Sequence, residues 1–279
     1  MANFHTDEWI IARLAEHYEE AKQHFDESRI IGIFIQGSQN YGLDYEGSDI
    51  DTKLIVAPTF AEIAFNKKPI STTHVRENNE HIDFKDIRLY IETFRKQNLN
   101  FLEILFTPYK IVNPQYEKFW QKLVDAREAI AHYDIHRSIK SMKGIALEKY
   151  HAMEHKYPSK VDIIEKYGYD SKQLHHLLRV EEYLSRYIAG ESYEKCLIPN
   201  PIRAKRLRAI KEDNGLLSLE EARCAANTAL ATIEMMCEEG LAYYPEGHNE
   251  EVEELLKKVQ YDTMKFAIAV ELAEEEYYD

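Results

Sequence analysis

Two aspartates, Asp49 and Asp51, stand one residue apart in the segment Gly47-Ser48-Asp49-Ile50-Asp51. On a strand, residues i and i+2 share a face, so this spacing sets two carboxylates side by side. Like charges so placed need a compensating cation. Hard divalent ions such as Mg²⁺ or Mn²⁺ prefer carboxylate oxygens and substrate phosphates. Such a pair can hold two ions that clamp the attacking and leaving oxygens of an in-line displacement. A third acid is offered by His81-Ile82-Asp83-Phe84-Lys85, where Ile82 and Phe84 alternate with polar residues and turn Asp83 away from the apolar side. Asp83 is expected to complete the metal set or to take the proton of an attacking hydroxyl. Asp86 is its rival for that place.

Two further groups of residues suit phosphate. Gly37-Ser38 follows the apolar run Ile30–Ile35. Backbone N–H groups beyond a strand end, a glycine that allows close approach and a hydroxyl donor together bind anionic oxygens well. Further on, Lys172, His176 and Arg179 fall within a ~60° stripe of one helix, with Leu174 and Leu177 roughly opposite. All three can donate to anionic oxygens, and the expectation is that they hold the triphosphate of an incoming nucleotide. The plain alternative is a solvated face that pairs with Glu165, Glu181 or Glu182.

The elements that must position these groups follow from hydrophobic periodicity. A helix is expected over residues 7 to about 27, with Thr6 as its N-cap. Strands are expected at 30–35, 50–56, 70–76 and 80–87, the last two joined by the turn Glu77-Asn78-Asn79. A helix follows at about 89–97, and Leu102–Phe106 is an apolar segment of undetermined type. After Pro114 helical patterns take over, at about 115–131, 134–156, 171–189, 218–239 and 249–276. The fold class is therefore α+β: an N-terminal mixed sheet with flanking helices over 1–113, and an all-helical C-terminal domain over 114–279 that closes a nucleotide cleft.

Gly37-Ser38, a gap, Asp49-x-Asp51, then Asp83 between hydrophobic residues resembles the DNA polymerase β superfamily of nucleotidyltransferases. The likeness extends to a "predicted nucleotidyltransferase" group found in bacteria and their phages. In that group Gly-Ser-x-x-Tyr-Gly precedes Ser-Asp-x-Asp, matched here by Gly37, Ser38, Tyr41, Gly42, Ser48, Asp49 and Asp51. A later Gly-Tyr-Asp-x-Lys-x-x-x-His-x-x-Arg pattern is matched by Gly168, Tyr169, Asp170, Lys172, His176 and Arg179. The resemblance spans about 30–240. It implies catalytic, metal-holding Asp49, Asp51 and Asp83, and nucleotide contacts at Gly37, Ser38, Tyr41, Ser48, Lys172, His176 and Arg179. It implies an NTP such as ATP as substrate; it does not fix the acceptor, since the superfamily modifies nucleic acid ends such as an RNA end, proteins and small molecules.

Bulk composition narrows the classes. The chain has 279 residues and a formal net charge of -14, which argues against a protein that grips long duplexes through a basic face. No apolar run approaches the ~20 residues of a membrane helix. The N-terminus lacks a signal-peptide pattern, so a cytoplasmic protein is expected. Cys196, Cys224 and Cys237 form no CxxC pair and are expected to be buried, reduced thiols. The run 203–211 carries five positive charges. It is expected to be one face of an amphipathic helix, with Leu207 and Ile210 turned inward; contact with a nucleic acid acceptor is the alternative. Two other functions compete with nucleotidyl transfer. One is a non-catalytic nucleotide- or partner-binding module on the same fold. The other is an RNA-processing protein built on the C-terminal helices, suggested by the spacing of Arg127 and His132. The oligomeric state is open.

Overall fold

The computed structural model describes residues 3–278, with side chains through residue 273. Five strands form one mixed sheet: β1 (Ile30–Gln36), β2 (Asp51–Val56), β3 (Ser71–Val75), β4 (His81–Asp86) and β5 (Lys110–Val112), in the order β3-β4-β2-β1-β5. β2 and β4 run parallel, and the other neighbours are antiparallel. The parallel pair requires a crossover. It is made by the short helix Phe60–Ala64, with a capping box at Thr59 and Glu62, and by β3. The β3–β4 hairpin turns through Asn79 at φ 65°, a left-handed geometry that asparagine tolerates.

One face of the sheet is the core. Thr6 caps the helix Asp7–Ala21 by accepting from the Trp9 N–H, and that helix buries Ile10, Leu14, His17 and Ala21. These apolar residues pack with Ile33, Ile35, Ile50, Leu54, Val56, Ile82 and Phe84, and each fully buried Leu or Ile contributes about 2 kcal/mol. Because strand side chains alternate, Asp51, Lys53, His81, Asp83 and Lys85 belong to the opposite face.

By packing, the chain divides into two compact units that interleave along the sequence. The sheet unit comprises His5–Asn40, Ser48–Tyr133 and the chain from His248 onward. It includes the helices Ile87–Arg95, Glu117–Asp125, Arg127–Ala131 and Glu250–Tyr278. The helix expected over 115–131 is broken at Ala126, and Leu102–Phe106 proves to be short helical turns. The C-terminal helix is tied in by Glu253, which accepts from Arg95 Nε and from the Tyr133 hydroxyl, both at 2.9 Å.

The helical unit comprises Tyr41–Gly47, Asp134–Gly247 and the chain up to Phe4. Its central helix, Ser171–Ile188, packs against Ile135–Ala152, Pro201–Glu212 and Leu219–Tyr243. Gly240 permits one of these approaches: a Cβ there would lie 2.9 Å from Ile139 Cδ1. Cys196 and Cys237 are buried, but Cys224 is exposed, against the expectation for all three. It stands on the 219–243 helix, where the buried alanines 222, 226 and 229 define the inward face and leave 224 outside it. Among the described residues no helix is long and apolar enough to cross a membrane.

Candidate functional site

The antiparallel β1–β2 register pairs Gln36 with Asp51, so the turn that follows β1 lies at the end of the sheet where β2 begins. Gly37 has φ +100° and a built Cβ would meet nothing closer than 3.9 Å. The position therefore demands glycine for its conformation, not for space. Ser38–Asn40 forms a single 3-10 turn. Gln39 Nε2 donates to the Asp49 carbonyl oxygen at 2.9 Å, which joins this turn directly to the first acid. Asp49 is exposed and Asp51 half-buried. Ser48 is buried just before them.

The parallel β2–β4 register sets Asp51 opposite His81 and Lys53 opposite Asp83. Asp51 Oδ1 accepts from the His81 backbone N–H at 3.1 Å and lies 2.9 Å from its Nδ1. Asp83 is paired differently. Its Oδ2 accepts from Lys53 Nζ at 3.2 Å and its Oδ1 from the Thr73 hydroxyl at 2.6 Å. Lys53 is 3% exposed, and its ammonium sits 4.1 Å from the centre of the Phe101 ring. Lys85 lies 4.3 Å from the same ring, and burial, then the Lys53 charge, hold its pKa below the ordinary value of 10.5. Asp86, the rival for the third place, is fully buried on the core side and caps the helix Ile87–Arg95 by accepting from the Arg88 N–H.

Two positioning carboxylates escaped the sequence reading. Glu80, 5% exposed, accepts from the Ile50 N–H at 3.3 Å, between the two acids of the motif. It also accepts from Arg13, from Arg76 at 2.9 Å and from His17 Nε2 at 2.9 Å, while His17 Nδ1 is 2.9 Å from the Thr52 hydroxyl. Burial pushes the Glu80 pKa up, but the hydrogen bonds led by His17 outweigh it and hold the carboxyl well below its ordinary 4.5. Glu103, 3% exposed, accepts from the Gly37 N–H at 2.7 Å. The N–H that the sequence offered to phosphate thus has a carboxylate partner. Neither acid lies in a recognisable motif. The one hint was that Glu80 directly precedes a strand whose inward residues are apolar.

Within the helical unit, the spacer between Gly-Ser and Asp-x-Asp is held by three basic residues. Arg179 lies 3.6 Å from the Tyr41 ring centre, Arg208 donates to the Gly42 carbonyl at 2.6 Å, and Lys211 donates to the Leu43 carbonyl at 3.3 Å. Arg203 pairs with Glu181, so in the run 203–211 only Lys205 and Arg206 are exposed. Leu207 and Ile210 are buried, as their spacing indicated. Leu174 and Leu177 are buried on the helix that carries Lys172, His176 and Arg179. The acids proposed as plain partners of that stripe are engaged elsewhere: Glu165 with Lys156, Glu181 with Arg203 and Glu182 with Asn200. Arg179 is 6% exposed, and its Nε and Nη2 make no hydrogen bond. Burial first, then the neighbouring His175 and Arg179, push the His176 pKa well below its ordinary 6.5. Arg127 packs on Phe106, and His132 bonds its own helix at the Glu128 carbonyl.

Among the described residues no three His, Cys, Asp or Glu side chains converge as a metal-binding set. No family model matches the chain, and no curated protein matches it. The solved structures include a similar one, a nucleotidyltransferase-like protein from Exiguobacterium sibiricum 255-15. The match covers 81% of this chain and 74% of that one, at 13% identity and a TM-score of 0.26.

Proposed function

We propose that this protein is a nucleotidyltransferase: it moves a nucleoside monophosphate from a nucleoside triphosphate to an acceptor hydroxyl and releases pyrophosphate. The observation that carries this reading is the join at the end of the sheet. There the Gly37–Ser38 turn is bonded through Gln39 to Asp49, and Asp51 and Asp83 share the same sheet face on adjacent strands. The donor set that suits a hard divalent ion is the pair Asp49 and Asp51, two acceptor-only carboxylates, with Asp51 bonded by His81. It does not fit one at Asp83, whose two oxygens are occupied by Lys53 and Thr73.

When bound, a divalent ion supplies positive charge to the oxygens of the reacting phosphate. The chain does the rest by positioning. His81 orients the Asp51 carboxylate. Glu80 fixes the backbone between Asp49 and Asp51, and Glu103 fixes Gly37 at the head of the turn. Asp83 is the remaining carboxylate for the acceptor proton. The acceptor oxygen forms a bond to the α-phosphorus, and the bond from that phosphorus to the bridging oxygen of pyrophosphate breaks. On the helical unit taken by itself, Lys172, His176 and Arg179 are donors of a kind suited to anionic oxygens, and Nε and Nη2 of Arg179 make no hydrogen bond.

The test is to incubate wild type and Asp49→Ala/Asp51→Ala with each α-³²P-labelled NTP and Mg²⁺ or Mn²⁺. The acceptors are total RNA, tRNA, protein extract and small metabolites. Label moved by wild type, and reduced about 10³-fold or more in the variant, is the expected result. An unfolded variant shows instead that the acids are structural. Absence of transfer, pyrophosphate release and nucleotide binding with every metal favours the non-catalytic module.

A further inference from the structure

We propose that the open edge of the sheet, β3, pairs with β3 of a second copy of this chain, antiparallel and centred on Thr73. The inference uses the sheet unit alone and does not depend on the nucleotidyltransferase reading. It starts from the backbone groups that the edge leaves open. β3 is the last strand of the sheet and is bonded to β4 only. At its ends the Arg76 N–H donates to the Glu80 carbonyl at 2.9 Å, and the Asp86 N–H to the Ile70 carbonyl at 3.0 Å. Antiparallel pairs alternate between bonded and non-bonded residues, so residues 70, 72, 74 and 76 carry the ladder to β4. The N–H and C=O groups of Ser71, Thr73 and Val75 therefore point away from the sheet, and among the described residues they have no partner.

Ser71, Thr72, Thr73 and Val75 are exposed. An edge of this kind invites another strand, and it is usually guarded by lysine, proline or a bulge. Within Ser71–Val75 there is none of these: the strand reads Ser-Thr-Thr-His-Val, and its register with β4 is unbroken. The occupant follows from how well the edge matches itself. With Thr73 opposite Thr73, the three outward residues map onto one another, because Ser71 then meets Val75 of the second copy. That register makes about six backbone hydrogen bonds between the copies. A slip one way would put Pro69, which has no N–H, into the ladder, and a slip the other way would set Ser71 against Glu77, beyond the strand end. Charge favours the same arrangement. Lys67 and Lys68 lead into the strand and Glu77 follows it, all three exposed. Antiparallel pairing brings the lysines of each copy beside Glu77 of the other, and no like charges face each other across the ladder. The contact is isologous. Its two-fold axis stands perpendicular to the sheet, so the Asp83 faces of both copies lie on one side. Thr73, which donates to Asp83 at 2.6 Å, lies on that axis.

A five-residue edge is a small interface, so self-association with a Kd of about 10–100 µM is expected. Sedimentation velocity of the full chain between about 5 and about 500 µM should pass from monomer to dimer. Over the same range, amide exchange read by NMR should slow about threefold or more at Ser71, Thr73 and Val75. It should stay unchanged at Thr72 and His74, which β4 already holds. Ser71→Pro removes an outward N–H without touching the ladder to β4, and should weaken the dimer about tenfold. Glu77→Lys should weaken it about threefold, and adding Lys67→Glu and Lys68→Glu to the same chain should restore it. A chain that stays monomeric at about 500 µM with those three amides unprotected overturns the inference, and leaves the edge to a different strand or to none. A dimer that leaves the three amides unprotected, or that folded Ser71→Pro does not weaken, overturns it too, since the contact then lies elsewhere. Should Ser71→Pro fail to fold, the exchange of wild type decides. Every one of these outcomes leaves the nucleotidyltransferase reading where it stands.

Discussion

Two buried polar clusters, one in each compact unit, are treated in opposite ways. Behind the sheet, Glu80 is surrounded by His17, Arg13, Arg76 and the Ile50 N–H, and His17 is itself bonded on both nitrogens. On the 171–188 helix, Gln173 Oε1, His175 Nε2, Arg179 Nε and Nη2, and the Tyr183 hydroxyl are buried without hydrogen bonds. A satisfied network rigidifies what it touches, whereas an unsatisfied buried donor or acceptor is costly to hold. The first pattern suits a frame that must keep two carboxylates in place. The second leaves buried donors and acceptors, Arg179 among them, without hydrogen bonds. The contrast teaches what each unit holds in place: the sheet unit fixes the backbone between Asp49 and Asp51 through a satisfied network, and the helical unit leaves Nε and Nη2 of Arg179 unmet.

The comparison can be broken most sharply at Glu80. Glu80→Gln removes the charge that balances Arg13, Arg76 and His17, and a loss of about 3 kcal/mol in urea unfolding is expected. A loss under 1 kcal/mol would mean the network is not a frame. Acid sharpens the same contrast. Glu80 has a folded pKa below its ordinary 4.5, so its stabilisation is present above pH 4.5 and is lost as the pH falls below that value. His175 is buried neutral, with its pKa pushed from 6.5 down to about 3, chiefly by burial. The unfolded chain therefore binds more protons below 6.5, and the stability linked to His175 falls as the pH drops through that point. Hydrogen exchange between about pH 7 and about pH 5, corrected for intrinsic rates, should show lost protection in the 171–188 helix before the strands that Glu80 anchors. Simultaneous loss in both units would erase the distinction.

Arg179→Met tests the other half. Removal of a buried charge that has no carboxylate partner is expected to leave stability unchanged or to raise it by about 1 kcal/mol. Binding of a fluorescent ATP analogue should weaken about tenfold or more. A large loss of stability with unchanged nucleotide binding would make Arg179 a structural prop for Tyr41. The smallest effect is expected at Arg206, one of the two exposed members of the basic run: Arg206→Ala should change stability by less than about 0.5 kcal/mol.

Much of the sheet unit was legible because its signals are local. A short apolar run marked β1, alternation marked β4, Thr6 marked a helix start, and the short segment 77–79 marked a hairpin. β5 was missed, as three residues carry too little period to read. Asp86 read as a rival acid because sequence spacing does not distinguish the last residue of a strand from the cap of the next helix. Lys53 was not singled out, and its pairing with Asp83 was not legible, since that depends on the register of two strands separated by a crossover. Cys224 was misjudged because only the packing of its helix shows which stripe faces inward.

By itself the sequence determined the residue types that do chemistry, their alternation on strands and the stripe on one helix, because backbone geometry imposes those periods within a few residues. Only the tertiary structure decided which charges meet. Strand register set Asp51 against His81 and Lys53 against Asp83. Long-range packing delivered Glu80 to the Ile50 N–H and Glu103 to the Gly37 N–H. Those contacts join residues 30 and 66 positions apart, and no local rule of chain geometry reaches that far.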